Sequence, residues 1–156
     1  MCGIVGLLLK RPELQGQLGA LMVPMLIGMS DRGPDSAGMA VFTPPLPAGR
    51  CKISLYAGLT PAGDAYDWAA LVAALNAALP VAATLAARGN QAVVTLSGPS
   101  DPAKAWVLAH DARLHVMSAG QRIELYKDVG SPTQVAQRYA FGALRGTHLV
   151  GHTRMA

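Results

Sequence analysis

The run Gly3-Ile4-Val5-Gly6-Leu7-Leu8-Leu9 constrains this chain most. It is apolar throughout, short and unbroken by charge, so it reads as a fully buried strand. A strand there would hold the preceding residue, Cys2, rigidly at the edge of a core. Initiator methionine is normally removed before a small residue, and Cys2 is small. Removal would leave one residue with both a thiol and a free α-amine. The thiolate is the nucleophile of cysteine chemistry, and an α-amine, titrating near pH ~7.7–8.0, can take the thiol proton. Nucleophile and general base then come from a single residue. A small buried cysteine after an ordinary start is the competing reading.

The remaining 150 or so residues decide whether such a strand has a core to join. At 156 residues the chain suits one ordinary domain. Its 51% hydrophobic and 14% charged content exclude a disordered chain. The net charge is +4, but the 13 basic residues are scattered, with Lys10-Arg11 the one adjacent pair. Without a basic run interleaved with aromatics, no nucleic-acid partner is expected. Cys2 and Cys51 could pair as a disulfide. No basic n-region and long apolar segment open the chain, so a reduced, cytoplasmic setting is expected, with Cys51 a small hydrophobe. Trp68 to Ala87 lacks charge over a bilayer-spanning length. It is mostly alanine, however, and contains Asn76 and Pro80. Its large residues Trp68, Leu71, Val72, Leu75 and Leu79 share one helical face. An amphipathic helix ended by Pro80 is expected, and no membrane partner.

Along the chain, Glu13 to Met29 reads as a helix kinked at Pro24, with Leu14, Leu18, Leu21, Met22, Met25 and Met29 as its apolar stripe. Asp31-Arg32-Gly33-Pro34-Asp35-Ser36-Ala37-Gly38 is a polar turn before a buried strand, Met39 to Phe42. An Arg and an Asp buried between helix and strand would be costly unless paired or functional; an ordinary charged loop is the alternative. After the stiff linker Thr43 to Gly49, strands are expected at Lys52–Ala57, Gln91–Ser97 and Leu114–Ser118. Helices fall between them, giving a βαβαβ insert over about 44–119. No Gly-rich phosphate loop accompanies its strands. The chain then returns to a strand at Arg122–Lys127, a short helix at Gln134–Phe141, and a buried strand at Thr147–Gly151 leading into His152-Thr153-Arg154.

Three separated stretches now stand together: Cys2-Gly3-Ile4-Val5-Gly6, Arg32-Gly33-Pro34-Asp35-Ser36-Ala37-Gly38, and Gly151-His152-Thr153-Arg154. In order and chemistry they resemble class II glutamine amidotransferases, the N-terminal-nucleophile hydrolases. The resemblance implies an α+β fold, an α/β/β/α sandwich of antiparallel sheets, incomplete at the C-terminus and carrying the insert within residues 1–156. The insert resembles that of the small glutaminase-like subunit of N-methylglutamate synthase and glutamate-synthase-like systems. Carried over, Cys2 is the catalytic nucleophile toward glutamine. Arg154 holds the substrate α-carboxylate, Arg32 and Gly33 line the pocket, Thr153 supports it, and Asp35 fixes the turn. Ammonia would pass to a synthase partner, and no cofactor or metal is implied. The alternative is a glutaminase-fold subunit kept for assembly or regulation.

The resemblance also calls for an Asn-Gly oxyanion pair and a later Asp that reads the substrate α-amine. Both would lie beyond Ala156, so about half a glutaminase domain is expected here, weakly active alone because oxyanion donors are a leading catalytic term. His148 and His152 have ligand spacing only on a helix. On a strand they share a face ~13 Å apart, and no nearby Cys, Asp or Glu completes a metal set.

Overall fold

The computed structural model describes residues 3–58 and 65–153. In chain order its elements begin with β1 (Ile4–Leu8), α1 (Leu18–Ile27), β2 (Ser36–Phe42), β3 (Arg50–Tyr56), α2 (Trp68–Ala78) and β4 (Ala83–Arg88). They continue with β5 (Gln91–Ser97), α3 (Ser100–His110), β6 (His115–Gly120), β7 (Ile123–Val129), α4 (Pro132–Arg138) and β8 (His148–His152). The fold is α+β, with two four-stranded antiparallel sheets. The chain divides into two compact units, Pro45–Glu124 and the segments on either side of it.

In the flanking unit the sheet runs β1-β8-β2-β7. β8 lies between β1 and β2 and is antiparallel to both, so His152 stands opposite Ile4 on one side and Gly38 on the other. α1 covers the sheet face to which Val5, Met39 and Gly151 belong. A Cβ on Gly151 would stand 3.0 Å from Leu26 Cδ1 and 3.1 Å from Met22 Cε. Leu18, Met22 and Leu26 of α1 are fully buried, each contributing about 1.5–3 kcal/mol by leaving water.

The expected helix over Glu13–Met29 is shorter. A 3-10 turn takes Pro12–Gln17, and the α-helix starts at Leu18 with Pro24 inside it. Gly16, a poor helix former, lies in that 3-10 turn. Leu21 and Met25, expected in the core stripe, are exposed. Burial instead follows Leu18, Met22 and Leu26 together with Gly19, where the helix backbone meets another segment. A Cβ on Gly19 would stand 2.0 Å from the Phe141 carbonyl oxygen, and the Gly19 N–H donates to the Leu144 carbonyl at 2.9 Å.

β1 is not the fully buried strand expected. Ile4 and Leu8 are 72% and 62% exposed, and Val150 beside them on β8 is 45% exposed. Side chains alternate across a strand, so only Val5 and Leu7 share the face that α1 covers.

The Pro45–Glu124 unit has strand order β4-β5-β3-β6, every neighbouring pair antiparallel. The expected βαβαβ order is present with one strand more. The sequence of elements is βαββαβ, the ferredoxin-like arrangement. The additional strand, β4, is alanine-rich and so carries a helical propensity. It becomes a strand because α2 ends at Ala78 before Pro80, and because Gly89, at φ +56°, opens a two-residue hairpin to β5. α2 buries Trp68, Leu71, Val72 and Leu75 as its spacing indicates, and its Asp67 cap accepts from the Ala70 N–H at 2.9 Å. These residues pack with Ile53, Leu55, Val94, Leu96 and Val107. Cys51 is buried and unbridged, its thiol donating to the Gly98 carbonyl at 3.2 Å. Burial pushes that thiol up, which keeps it protonated and inert. Lys52 is buried and paired with Glu124 at 2.8 Å. No helix among the described residues is long and apolar enough to cross a membrane.

Candidate functional site at the ends of β1 and β8

Gly3 and Thr153 flank the two paired strands on the side where Ile4 meets His152. The Thr153 N–H donates to the Gly3 carbonyl at 3.0 Å, extending the ladder by one bond. The Thr153 side chain is fully buried, and its hydroxyl donates to the Met29 carbonyl at 3.2 Å. That bond ties β8 to the turn leaving α1. The turn closes through Arg32 N–H to Met29 O at 3.0 Å and Gly33 N–H to Ser30 O at 3.1 Å.

Two glycines let these backbones meet. A Cβ on Gly33 would fall 1.5 Å from the Thr153 carbonyl oxygen, and one on Gly3 would fall 2.8 Å from Thr153 Oγ1 and 3.3 Å from Arg32 Cβ. Gly33 has φ −175°, an extended backbone open to any residue, so its requirement is steric. The expected site residues Arg32, Gly33 and Thr153 are therefore brought together, with Gly3 and Met29 joining them. Cys2 and Arg154 lie outside the described residues. Each is the sequence neighbour of a residue in this knot: Cys2 of Gly3, and Arg154 of Thr153.

Asp31, Arg32 and Asp35 are exposed, and the buried member of that turn is Gly33. The charges of Arg32 and Asp35 stay in water, so neither is the costly buried ion expected between helix and strand. Asp35 contributes through its backbone: its carbonyl accepts from the Gly130 N–H at 2.8 Å, joining the start of β2 to the turn after β7.

Sequence reasoning missed the support behind that turn. Asp128 is fully buried in β7 and accepts from Arg138 Nη1, from the Tyr139 hydroxyl and from the Val129 N–H. A buried carboxylate needs such partners. α4 brings up two of the three, Arg138 and Tyr139 at its C-terminal end, and Ser131 and Gln134 close a capping box at its start. The strand carries two acidic residues, Glu124 and Asp128, at alternate positions, and nothing in its pattern singles out Asp128 as the buried one.

His148 and His152 both lie on β8 and on one face. His148 stacks on Phe42, centroids 4.2 Å apart, and its Nδ1 lies 2.9 Å from Thr147 Oγ1. Burial, and then the charge of Lys127, hold His152 below the usual imidazole range. Its folded pKa is depressed, so between the unfolded value of about 6.5 and the lower folded value the unfolded chain binds more protons. Stability is whole above about pH 6.5 and falls as pH drops through that window. Urea midpoints between pH 7.5 and 5 should decline, and His152→Gln should flatten the decline. A decline unchanged by that substitution would contradict it.

No family model matches the chain. Among known proteins it is 40% identical over 157 residues to the "Glutamine amidotransferase-like protein GlxB" of Rhizobium meliloti. It is 29% identical over 162 residues to a "Putative glutamine amidotransferase" of Methanothermobacter thermautotrophicus. The chain is similar to glutamine amidotransferase-like proteins throughout. Both matches take in 100% of this chain but only 50% and 52% of the relatives. It therefore spans about half the length of each.

Proposed function

We propose that this chain is the nucleophile-bearing part of a class II glutamine amidotransferase. One observation carries the reading: Gly3, Arg32, Gly33 and Thr153, drawn from three distant stretches, meet at one end of the β1–β8 pair. Two of them adjoin Cys2 and Arg154, and the amidotransferase-like relatives match across the whole chain.

In this mechanism Met1 is removed and the Cys2 α-amine takes the thiol proton. The thiolate attacks the side-chain amide carbon of glutamine, and the protonated amine returns its proton to the leaving nitrogen. Ammonia departs and a γ-glutamyl thioester remains. Water then attacks the thioester carbon, freeing glutamate and regenerating the thiol. Arg154 holds the substrate α-carboxylate through a planar, two-pronged contact that Lys cannot reproduce. Arg32, exposed beside Gly3, adds positive charge near the pocket. Asp35 holds the turn. Thr153 supports the pocket from below, with its hydroxyl proton committed to Met29.

The oxyanion donors and the group that reads the substrate α-amine would come from the portion of the relatives' length that this chain does not span. Ammonia would pass to a synthase partner, of the N-methylglutamate synthase or glutamate-synthase-like kind, in a reduced cytoplasm that keeps the thiol free. Arg154→Lys should raise the KM for glutamine about 10- to 100-fold with little change in kcat, because a charge-assisted contact worth about 1.5–3 kcal/mol is weakened. Steady-state kinetics check it; an unchanged KM would remove Arg154 from substrate binding. N-terminal mass spectrometry tests the mechanism itself. A retained Met1 would leave Cys2 with an amide in place of its base and would overturn it.

A further inference from the structure

We propose that Arg138 is a positioning residue for glutamine recognition, a role that rests on Arg32 and Gly33 lining the pocket as proposed above. It acts through one peptide plane on the turn that carries both.

That plane is the peptide between Val129 and Gly130. Its carbonyl accepts from Arg138 Nη1 at 3.2 Å, and its N–H donates to the Asp35 carbonyl at 2.8 Å. A trans peptide is rigid, and its C=O and N–H point in opposite directions. A bond that fixes the carbonyl therefore also sets where the N–H aims. The end of α4 and the Arg32–Asp35 turn are coupled in this way across the end of β7.

The α4 side of the coupling is stiff. The same Arg138 Nη1 donates to the carboxylate of Asp128, which is fully buried. A buried charge holds its partner closely, because losing it would leave the carboxylate uncompensated. Asp128 Oδ1 also accepts the Val129 N–H at 2.8 Å, and the Ser131 N–H donates to Gln134 Oε1 at 3.0 Å. Three consecutive peptides are thus held by side chains. Gly130 between them has φ +125°, a backbone conformation that favours glycine.

The turn side is held at its two ends. Gly33 crosses the Thr153 backbone at one end, and the Asp35 carbonyl meets Gly130 at the other. Pro34 between them has no N–H to donate. With the Asp35 tie lost, the segment would rest on the Gly33 crossing, and the wall formed by Arg32 and Gly33 would no longer have one position. Binding groups need placement within about 0.5 Å to act at full strength.

The test uses the whole 156-residue chain and a diazoketone analogue of glutamine that alkylates Cys2. The quantity read is the glutamine concentration that halves this labelling. Arg138→Met should raise it about tenfold, the scale of one weakened contact to a charged group. Arg138→Lys keeps a charge and a donor on a shorter reach. It should show a smaller rise, and it carries the comparison if Arg138→Met does not fold. The control is Tyr139→Phe, because the Tyr139 hydroxyl donates its one proton to the same Asp128 oxygen. That variant should lower the urea midpoint and leave the half-protecting concentration at the parent value. With Arg32→Ala already in place, Arg138→Met should change that concentration less than about twofold, since both act through one turn.

Hydrogen exchange supplies a readout that needs no glutamine. The Gly130 amide should exchange faster in the Arg138 variants than in Tyr139→Phe, with the β8 amides alike in all. Half-protection equal in the parent and both Arg138 variants would overturn the proposal. So would a rise in Tyr139→Phe as large as theirs, or a Gly130 amide that exchanges no faster. A parent whose labelling glutamine does not suppress would instead overturn the reading of the pocket, and the recognition role of Arg138 with it.

Discussion

Gly33→Ala should unfold the site end of the flanking unit. The added methyl would fall 1.5 Å from the Thr153 carbonyl oxygen and 2.6 Å from its carbonyl carbon, both backbone atoms that no rotamer change can move. To relieve the clash, either β8 must shift away from the turn or the turn must open. The first breaks the Thr153 N–H bond to Gly3, and the second breaks the Thr153 hydroxyl bond to Met29. Overpacking alone costs about 1–3 kcal/mol, and one lost buried bond adds about 1 kcal/mol. A loss of about 3 kcal/mol is therefore expected in urea unfolding. Gly16→Ala, where nothing lies within 4 Å, should stay within about 0.5 kcal/mol of the parent. If the two variants lost equal stability, the tight crossing of the Gly33 turn and β8 would be contradicted.

The same crossing shows how the site could be read from sequence and where that reading stopped. Three short stretches marked the residues that meet, because each combines glycine with a chemistry-bearing neighbour. Gly33 and Thr153 are steric and hydrogen-bonding partners 120 positions apart, and no local pattern announces that. The charges of Arg32 and Asp35 drew attention as a burial problem, whereas the buried group is the glycine between them. Strand existence was legible where branched residues cluster, as in Gln91–Ser97, whose bounds the structure matches. It was lost at Ala83–Arg88, where alanine propensity points to helix and the hairpin partner decides. β1 was legible as a strand and misread in burial. Period-two alternation is invisible when every residue on both faces is apolar, and only the sheet shows that Ile4 and Leu8 face away from α1.

The second large effect belongs to Cys2. Its proposed role joins two properties, a thiol that attacks and an α-amine that serves as its base. Cys2→Ala removes the thiol and leaves the α-amine with no nucleophile to serve, so glutamine hydrolysis should fall about 10⁴-fold or more, as when a nucleophile is deleted from an acyl-transfer site. Cys51 provides the internal control, because its thiol is buried, bonded to a carbonyl and held protonated. A glutamine-analogue diazoketone separates the two cysteines without needing turnover. It binds as glutamine does and alkylates the thiol that reaches its side-chain carbon.

The most direct measurement is therefore peptide mass spectrometry of the protein treated with that reagent, with and without excess glutamine. The expected result is a chain beginning at Cys2, one adduct on Cys2, loss of the adduct under excess glutamine, and an unmodified Cys51. A chain that keeps Met1, or an adduct on Cys2 that glutamine does not suppress, would contradict the account.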